Sequence, residues 1–79
     1  MSTNSNETLP EVFAVKVGKQ PGIVTLKKVP NGSTALDVLR VAELDPTDHE
    51  VRINGVPANL NQLVKPNDAV LLFKPLAGN

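Results

Sequence analysis

Ala69-Val70-Leu71-Leu72-Phe73 is apolar at every position, and that run decides what the rest of the chain must build. A half-exposed strand alternates apolar and polar residues. A strand apolar on both faces belongs in the middle of a sheet, covered on each side or paired with parallel neighbours. Pro66-Asn67-Asp68 in front of it is turn chemistry, and Lys74 behind it marks the return to solvent. Further back, Leu60-Asn61-Gln62-Leu63-Val64 reads as a short linker with one turn of 3₁₀ helix. Leu60 and Leu63 are expected to plug the core from it.

Upstream of that linker, Val51 and Ile53 alternate with Glu50, Arg52 and Asn54, which predicts a short strand. Asn54-Gly55 is a strong two-residue hairpin signal and favours a type I′ turn. The returning strand, Val56-Pro57-Ala58, must be brief because Pro57 has no N–H to give a ladder. Before this hairpin, Thr34 is a good helix N-cap, and Asp37 three residues on completes a capping box and complements the helix dipole. Leu36 and Leu39, with Ala42 or Leu44, give the predicted buried stripe; Val38 and Val41 lie to its side. Asp45-Pro46 cannot continue a helix, so the expected span is 34–44.

The N-terminal part has period two. Phe13, Val15 and Val17 point one way while Val12, Ala14 and Lys16 point the other. Gly18-Lys19-Gln20-Pro21-Gly22 then reads as a loop, and a β-branched second strand is expected over 23–29. There Val24 and Leu26 alternate with Thr25 and Lys27. Residues 1–10 are polar, end in Pro10 and read as a flexible leader; 11–74 form the domain and 75–79 a C-terminal tail. The order is a hairpin, a crossover helix, a short strand and small hairpin, then a central strand beside the first. That is the β-grasp, or ubiquitin-like, arrangement: an α+β fold with a mixed sheet of four to five strands packed on one helix, placed by the right-handed crossover rule.

Composition limits the chemistry. Leu, Val, Ile and Phe supply 25 of the 79 residues, too apolar a mix for a disordered chain. A core this small is often reinforced by disulfides or a metal. Here there is no cysteine, and His49 is the single histidine, which excludes a zinc cluster of the usual N/S type. Eight basic residues balance eight acidic ones, which leaves no electrostatic footprint for duplex nucleic acid. Lys16, Lys19, Lys27 and Lys28 can make a local basic patch, but read first as a solvated strand face. No apolar run reaches membrane-spanning length. The first residues lack the charged and apolar regions of a signal peptide, so the protein is expected to be soluble and cytoplasmic.

No catalytic residue stands out. There is no Cys, and the serines fall in the leader and at the helix cap, so no nucleophilic triad can form. Asp45, Asp48, His49 and Glu50 cluster after the helix in a way that suggests a hard-metal site, but a polar capping loop explains them more simply. The glycines form no phosphate cradle, and no cofactor is indicated.

At this point a resemblance enters. Val51-Arg52-Ile53-Asn54-Gly55-Val56-Pro57-Ala58, the Pro66-Asn67-Asp68 turn, the apolar strand and Ala77-Gly78 together resemble the C-terminal half of the small ubiquitin-like sulfur carriers of thiamine and molybdopterin biosynthesis. The resemblance covers roughly 11–79 and is distinctive over the last thirty residues. It implies a protein that is not itself an enzyme. Its terminal carboxylate is adenylated by ATP on an activating partner enzyme, then attacked by a sulfur donor to leave a thiocarboxylate. Ala77, Gly78 and Asn79 would be the carrier tail, with Phe73, Pro75 and Leu76 beside it on the face that docks the partner. Gly suits the tail because a Cβ would obstruct a narrow channel. The family pattern ends in Gly-Gly, whereas here Ala77-Gly78 is followed by Asn79. Either Asn79 is removed by a protease, or the domain is a non-catalytic β-grasp interaction module with an unreactive C-terminus. An RNA-binding sheet face, as in TGS-type β-grasp modules, would use Lys16, Lys27, Lys28 and Lys74. It would also need aromatics to stack on bases, and both phenylalanines are expected in the core.

Overall fold

A computed structural model describes residues 10–75. Six elements follow one another: β1 (Val12–Gln20), β2 (Val24–Pro30), α1 (Ala35–Val41), β3 (Glu50–Ile53), β4 (Val56–Pro57) and β5 (Ala69–Phe73). The strands form one five-stranded sheet in the order β2-β1-β5-β3-β4. β5 lies at its centre, parallel to β1 and antiparallel to β3, while β1–β2 and β3–β4 are antiparallel hairpins. This is the mixed sheet with one helix expected of a β-grasp. No helix among the described residues is long and apolar enough to cross a membrane.

The helix covers one face of the sheet. Phe13, Val15 and Val17 from β1, Val70 and Leu72 from β5, and Val51 and Ile53 from β3 are buried beneath it with Val29. Ala35, Val38 and Leu39 meet them from the helix. The buried stripe thus includes Val38 and leaves Leu36 half-buried, because small Ala35 opens the contact and sets the rotation at 35, 38 and 39. Ala42 and Leu44 pack at the margin of the core.

The helix is seven residues long, shorter than 34–44. Its start is as expected: the Thr34 hydroxyl accepts from the Asp37 N–H at 3.2 Å, and the Asp37 carboxylate accepts from the Thr34 N–H at 3.0 Å. Its end comes early because Glu43 takes a left-handed conformation, φ 60°. The Glu43 N–H then reaches back to the Arg40 carbonyl and the Leu44 N–H to the Leu39 carbonyl. That pair of bonds is a Schellman closure, made here without glycine. It stops the helix before Asp45-Pro46 can.

Two other expectations are corrected. Leu60 and Leu63 do not plug the core; they are 37% and 61% exposed, and Val64 is buried instead. The linker opens with a turn at Leu60–Asn61, and its Leu63–Val64 end is sewn to the helix start in extended form, with a Thr34–Leu63 bridge and a bond from the Val64 N–H to the Ser33 carbonyl. Extended backbone turns neighbouring side chains to opposite sides, so Leu63 faces out and Val64 in. Gly18 is a strand residue paired with Val24, not part of the turn; β1 continues to Gln20.

The β3–β4 turn has positive φ at both Asn54 and Gly55, as a type I′ turn requires. Asn54 also does something no local pattern announces. Its side chain donates to the Asp68 carboxylate at 2.8 Å and accepts from the Ala69 N–H at 2.9 Å. Asp68 in turn accepts from the Lys65 N–H at 2.8 Å. This clasp ties the small hairpin to the turn that launches β5. Asp68→Ala should cost about 1–2 kcal/mol in chemical denaturation, and Asp68→Asn, which keeps the acceptor for Lys65, should cost less. Equal losses for the two variants would mean the clasp does not work through that acceptor.

Candidate docking face and C-terminal strand

The helix covers only one side of the sheet. On the other side stand the residues of opposite parity to the core. β5 gives Ala69, Leu71 and Phe73; β1 gives Ala14, Lys16 and Gly18, which pair with them or lie next to them in register. β2 adds Val24, Leu26 and Lys28, and β3 adds Glu50 and Arg52. The result is an apolar strip centred on Leu71, bordered by Lys16 and Lys28 on one flank and by the Glu50–Arg52 pair on the other.

Phe73 stands half-buried on this open face, the side the resemblance implied for it, and not fully buried as the argument against base stacking expected. Val70 and Leu72 take the two inward positions of β5, and alternation puts Leu71 and Phe73 outward. The Phe73 ring is half-buried beneath the Arg52 guanidinium, whose carbon lies 5.2 Å from the ring centroid. Arg52 Nε donates to Glu50 Oε2 at 3.2 Å, so the cation is held over the ring from the side. Such a pair at the surface contributes little to stability. It fixes the orientation of a flat aromatic surface.

Of the residues expected at the docking end, Phe73 lies on the open face and Pro75 is exposed just beyond β5. Leu76 and the carrier-tail residues Ala77, Gly78 and Asn79 lie outside the described residues. Leu71 and Arg52 were not among the expected site residues, and Lys16 was expected only in a basic patch. The signal for them was present: once Val70 and Leu72 are assigned inward, the residues between them must share a face.

The anticipated basic patch is divided. Lys16 and Lys28 stand on the open face, whereas Lys27 pairs with Val15 and so projects toward the helix side at the sheet's edge. Lys19 has the parity of Val17 and also falls on the helix side. An RNA-binding face built on Lys16, Lys27, Lys28 and Lys74 together is therefore not assembled, since Lys27 stands apart from Lys16 and Lys28.

The acidic loop after the helix is engaged locally. Asp45 accepts from the Thr47 N–H at 2.9 Å and from the Thr47 hydroxyl at 2.7 Å. The bond from the Thr47 backbone, then that from its hydroxyl, holds the Asp45 carboxyl below the ordinary aspartate value, with the charges of His49 and Lys19 assisting. Asp37 is likewise lowered, first by the Thr34 backbone bond and then by the Thr34 hydroxyl. His49 Nδ1 lies 2.7 Å from the Thr47 carbonyl, and Glu50 is spent on Arg52. Between this loop and the linker is an open concavity of about 670 Å³, with Leu36, Pro46, Val51 and Leu60 on its walls.

A five-stranded sheet of this order, gripping one helix, defines a ubiquitin-like β-grasp protein. Solved structures agree. The Haloferax volcanii HVO 2177 protein superposes with a TM-score of 0.69 at 19% identity, covering 87% of this chain and 89% of that one. Caldiarchaeum subterraneum ubiquitin gives a TM-score of 0.59 at 15% identity, over 86% and 99% of the two chains. The C-terminal ubiquitin-like domain of mouse tubulin-specific chaperone e gives 0.55 at 14%, over 96% and 99%. No family model matches the sequence, and no curated protein matches it. At these identities the similarity is one of fold.

Proposed function

We propose that the protein is a ubiquitin-like carrier of the sulfur-carrier kind, in which a partner enzyme docks on the open face and acts on the carboxylate of Gly78. One observation carries this reading. β5, whose Leu71 and Phe73 form the floor of the open face, is the strand that leads into Pro75 and on to Ala77-Gly78. A partner seated on that face would hold the strand from which the tail issues.

The chemistry belongs to the partner. Hydrolysis of the Gly78–Asn79 peptide bond consumes one water and frees the Gly78 carboxylate. That carboxylate attacks the α-phosphorus of ATP, and pyrophosphate leaves. A hydrosulfide-equivalent donor then attacks the acyl carbon, AMP departs, and a thiocarboxylate remains. Apart from the Gly78 carboxylate itself, this chain supplies no acid, base, nucleophile or cofactor; it is not itself an enzyme in this reading and works in the cytoplasm, where ATP is available. Asn79 favours a second reading, in which the same face binds a protein partner and no covalent step follows.

Intact-mass analysis of the protein recovered from its host separates the two. Loss of one asparagine residue with gain of sulfur supports the carrier reading; Asn79 retained in every molecule overturns it and leaves the interaction module. Phe73→Glu and Leu71→Glu should each lower modification or partner binding at least about tenfold, as removal of a central interface residue does, with the fold intact by circular dichroism.

A further inference from the structure

We propose that the outer edge of β2 is a self-association surface, on which a second copy of this chain pairs antiparallel about a two-fold axis at Leu26. The sheet has two edges. β4 is two residues long and contains Pro57, so it offers almost nothing to a partner. β2 is seven residues long and unpaired on its outer side. It is also unusually apolar for a free edge: Leu26 is 66% exposed and Val24 41%, and Ile23 just before the strand is 82% exposed.

The hydrogen-bond phase of the hairpin says which groups are free. The Asn31 N–H donates to the Glu11 carbonyl at 2.7 Å. In the register Val12↔Pro30, Phe13↔Val29, this makes residues 11 and 31 a facing, bonded pair. Bonded pairs then alternate with unbonded ones, so Val29, Lys27 and Thr25 spend their backbone groups on β1. Val24, Leu26 and Lys28 aim theirs outward. Pro30 has the same outward phase and lacks an N–H, which closes that end of the edge.

One register uses all three free residues. With Leu26 opposite Leu26, Val24 faces Lys28 of the second copy and Thr25 faces Lys27, so no lysine meets a lysine. Each facing outward pair exchanges two bonds. Centring on Lys28 would stack the two ammonium groups and waste a position on Pro30. Centring on Val24 would run Leu26 against the turn at Gly22. The chain carries no net charge to oppose association. Because the axis is perpendicular to the sheet, both open faces lie on the same side and stay uncovered. A single strand pair buries less than the ~1,200 Å² of a standard interface. The dimer is accordingly weak, with a dissociation constant well above that of a standard-size interface.

Amide exchange and sedimentation of the full chain, at concentrations spanning that constant, test the proposal. The amides of Val24, Leu26 and Lys28 should gain protection as concentration rises, while those of Thr25, Lys27 and Val29 are protected throughout. Leu26→Lys, at an exposed site, should raise the dissociation constant at least about tenfold by facing like charges and leave other resonances in place. Val24→Glu should tighten the dimer, because each new carboxylate faces Lys28 of the second copy. A monomer at every concentration overturns the proposal. So does a dimer indifferent to Leu26→Lys, or protection of the three amides only when a foreign extended peptide is added.

Discussion

Leu72→Ala is expected to remove about 2–5 kcal/mol of stability, the range for truncating a fully buried leucine. Leu72 is completely buried in β5, and β5 is paired on both sides, so no neighbour can close over the cavity without moving two ladders. In a domain of this size each kcal/mol is worth about 4–8 °C of melting temperature, so the loss should be visible as a shift of about eight degrees or more. Leu71→Ala is the control one residue away. Leu71 stands on the open face, and its truncation should cost under about 1 kcal/mol while weakening partner docking. Thermal melts of both variants decide it: comparable losses would mean the open face is covered and the assignment of the two faces is wrong.

Gly18→Ala is expected to cost about 1–3 kcal/mol, the usual penalty for forcing an atom into packed structure. A Cβ at Gly18 would lie 2.5 Å from the Ile23 carbonyl oxygen and 3.0 Å from the Val24 Cα, both backbone atoms that no side-chain rotation can clear. The turn end of the β1–β2 hairpin must splay to admit it. Amide exchange should therefore speed up at Thr25 more than at Val29, alongside the lower melting temperature. An unchanged melting temperature would show that the hairpin end is more compliant than its geometry implies.

Much of this fold is written in local residue chemistry. The capping box at Thr34 and Asp37, the Asn54-Gly55 turn and the all-apolar β5 can each be read within a few residues, and each is where the sequence put it. The departures share a cause. Whether Leu63 or Val64 enters the core depends on how the linker is sewn to the helix start. Where the helix stops depends on Glu43 accepting a left-handed backbone that its side chain does not advertise. The clasp between Asn54 and Asp68 joins residues fourteen apart. The docking face was legible only in part. Periodicity divides β5 into two apolar faces, but only the position of the helix tells which of them is left open, and this moved Phe73 from the core to the surface.

The stitching of the helix start also governs when the molecule can fold. The Ala35 N–H bonds the Gln62 carbonyl and the Leu36 N–H bonds the Leu60 carbonyl, so first-turn donors that have no partner inside any helix are met by chain made some 25 residues later. Seven residues are far below the ~12–15 that hold a helix on their own. During synthesis, then, a nascent chain that has emerged only as far as β3 lacks both the strand that fills the sheet and the carbonyls that start the helix. It should remain unstructured on the ribosome until β5 is clear of the exit tunnel, and fold in one step.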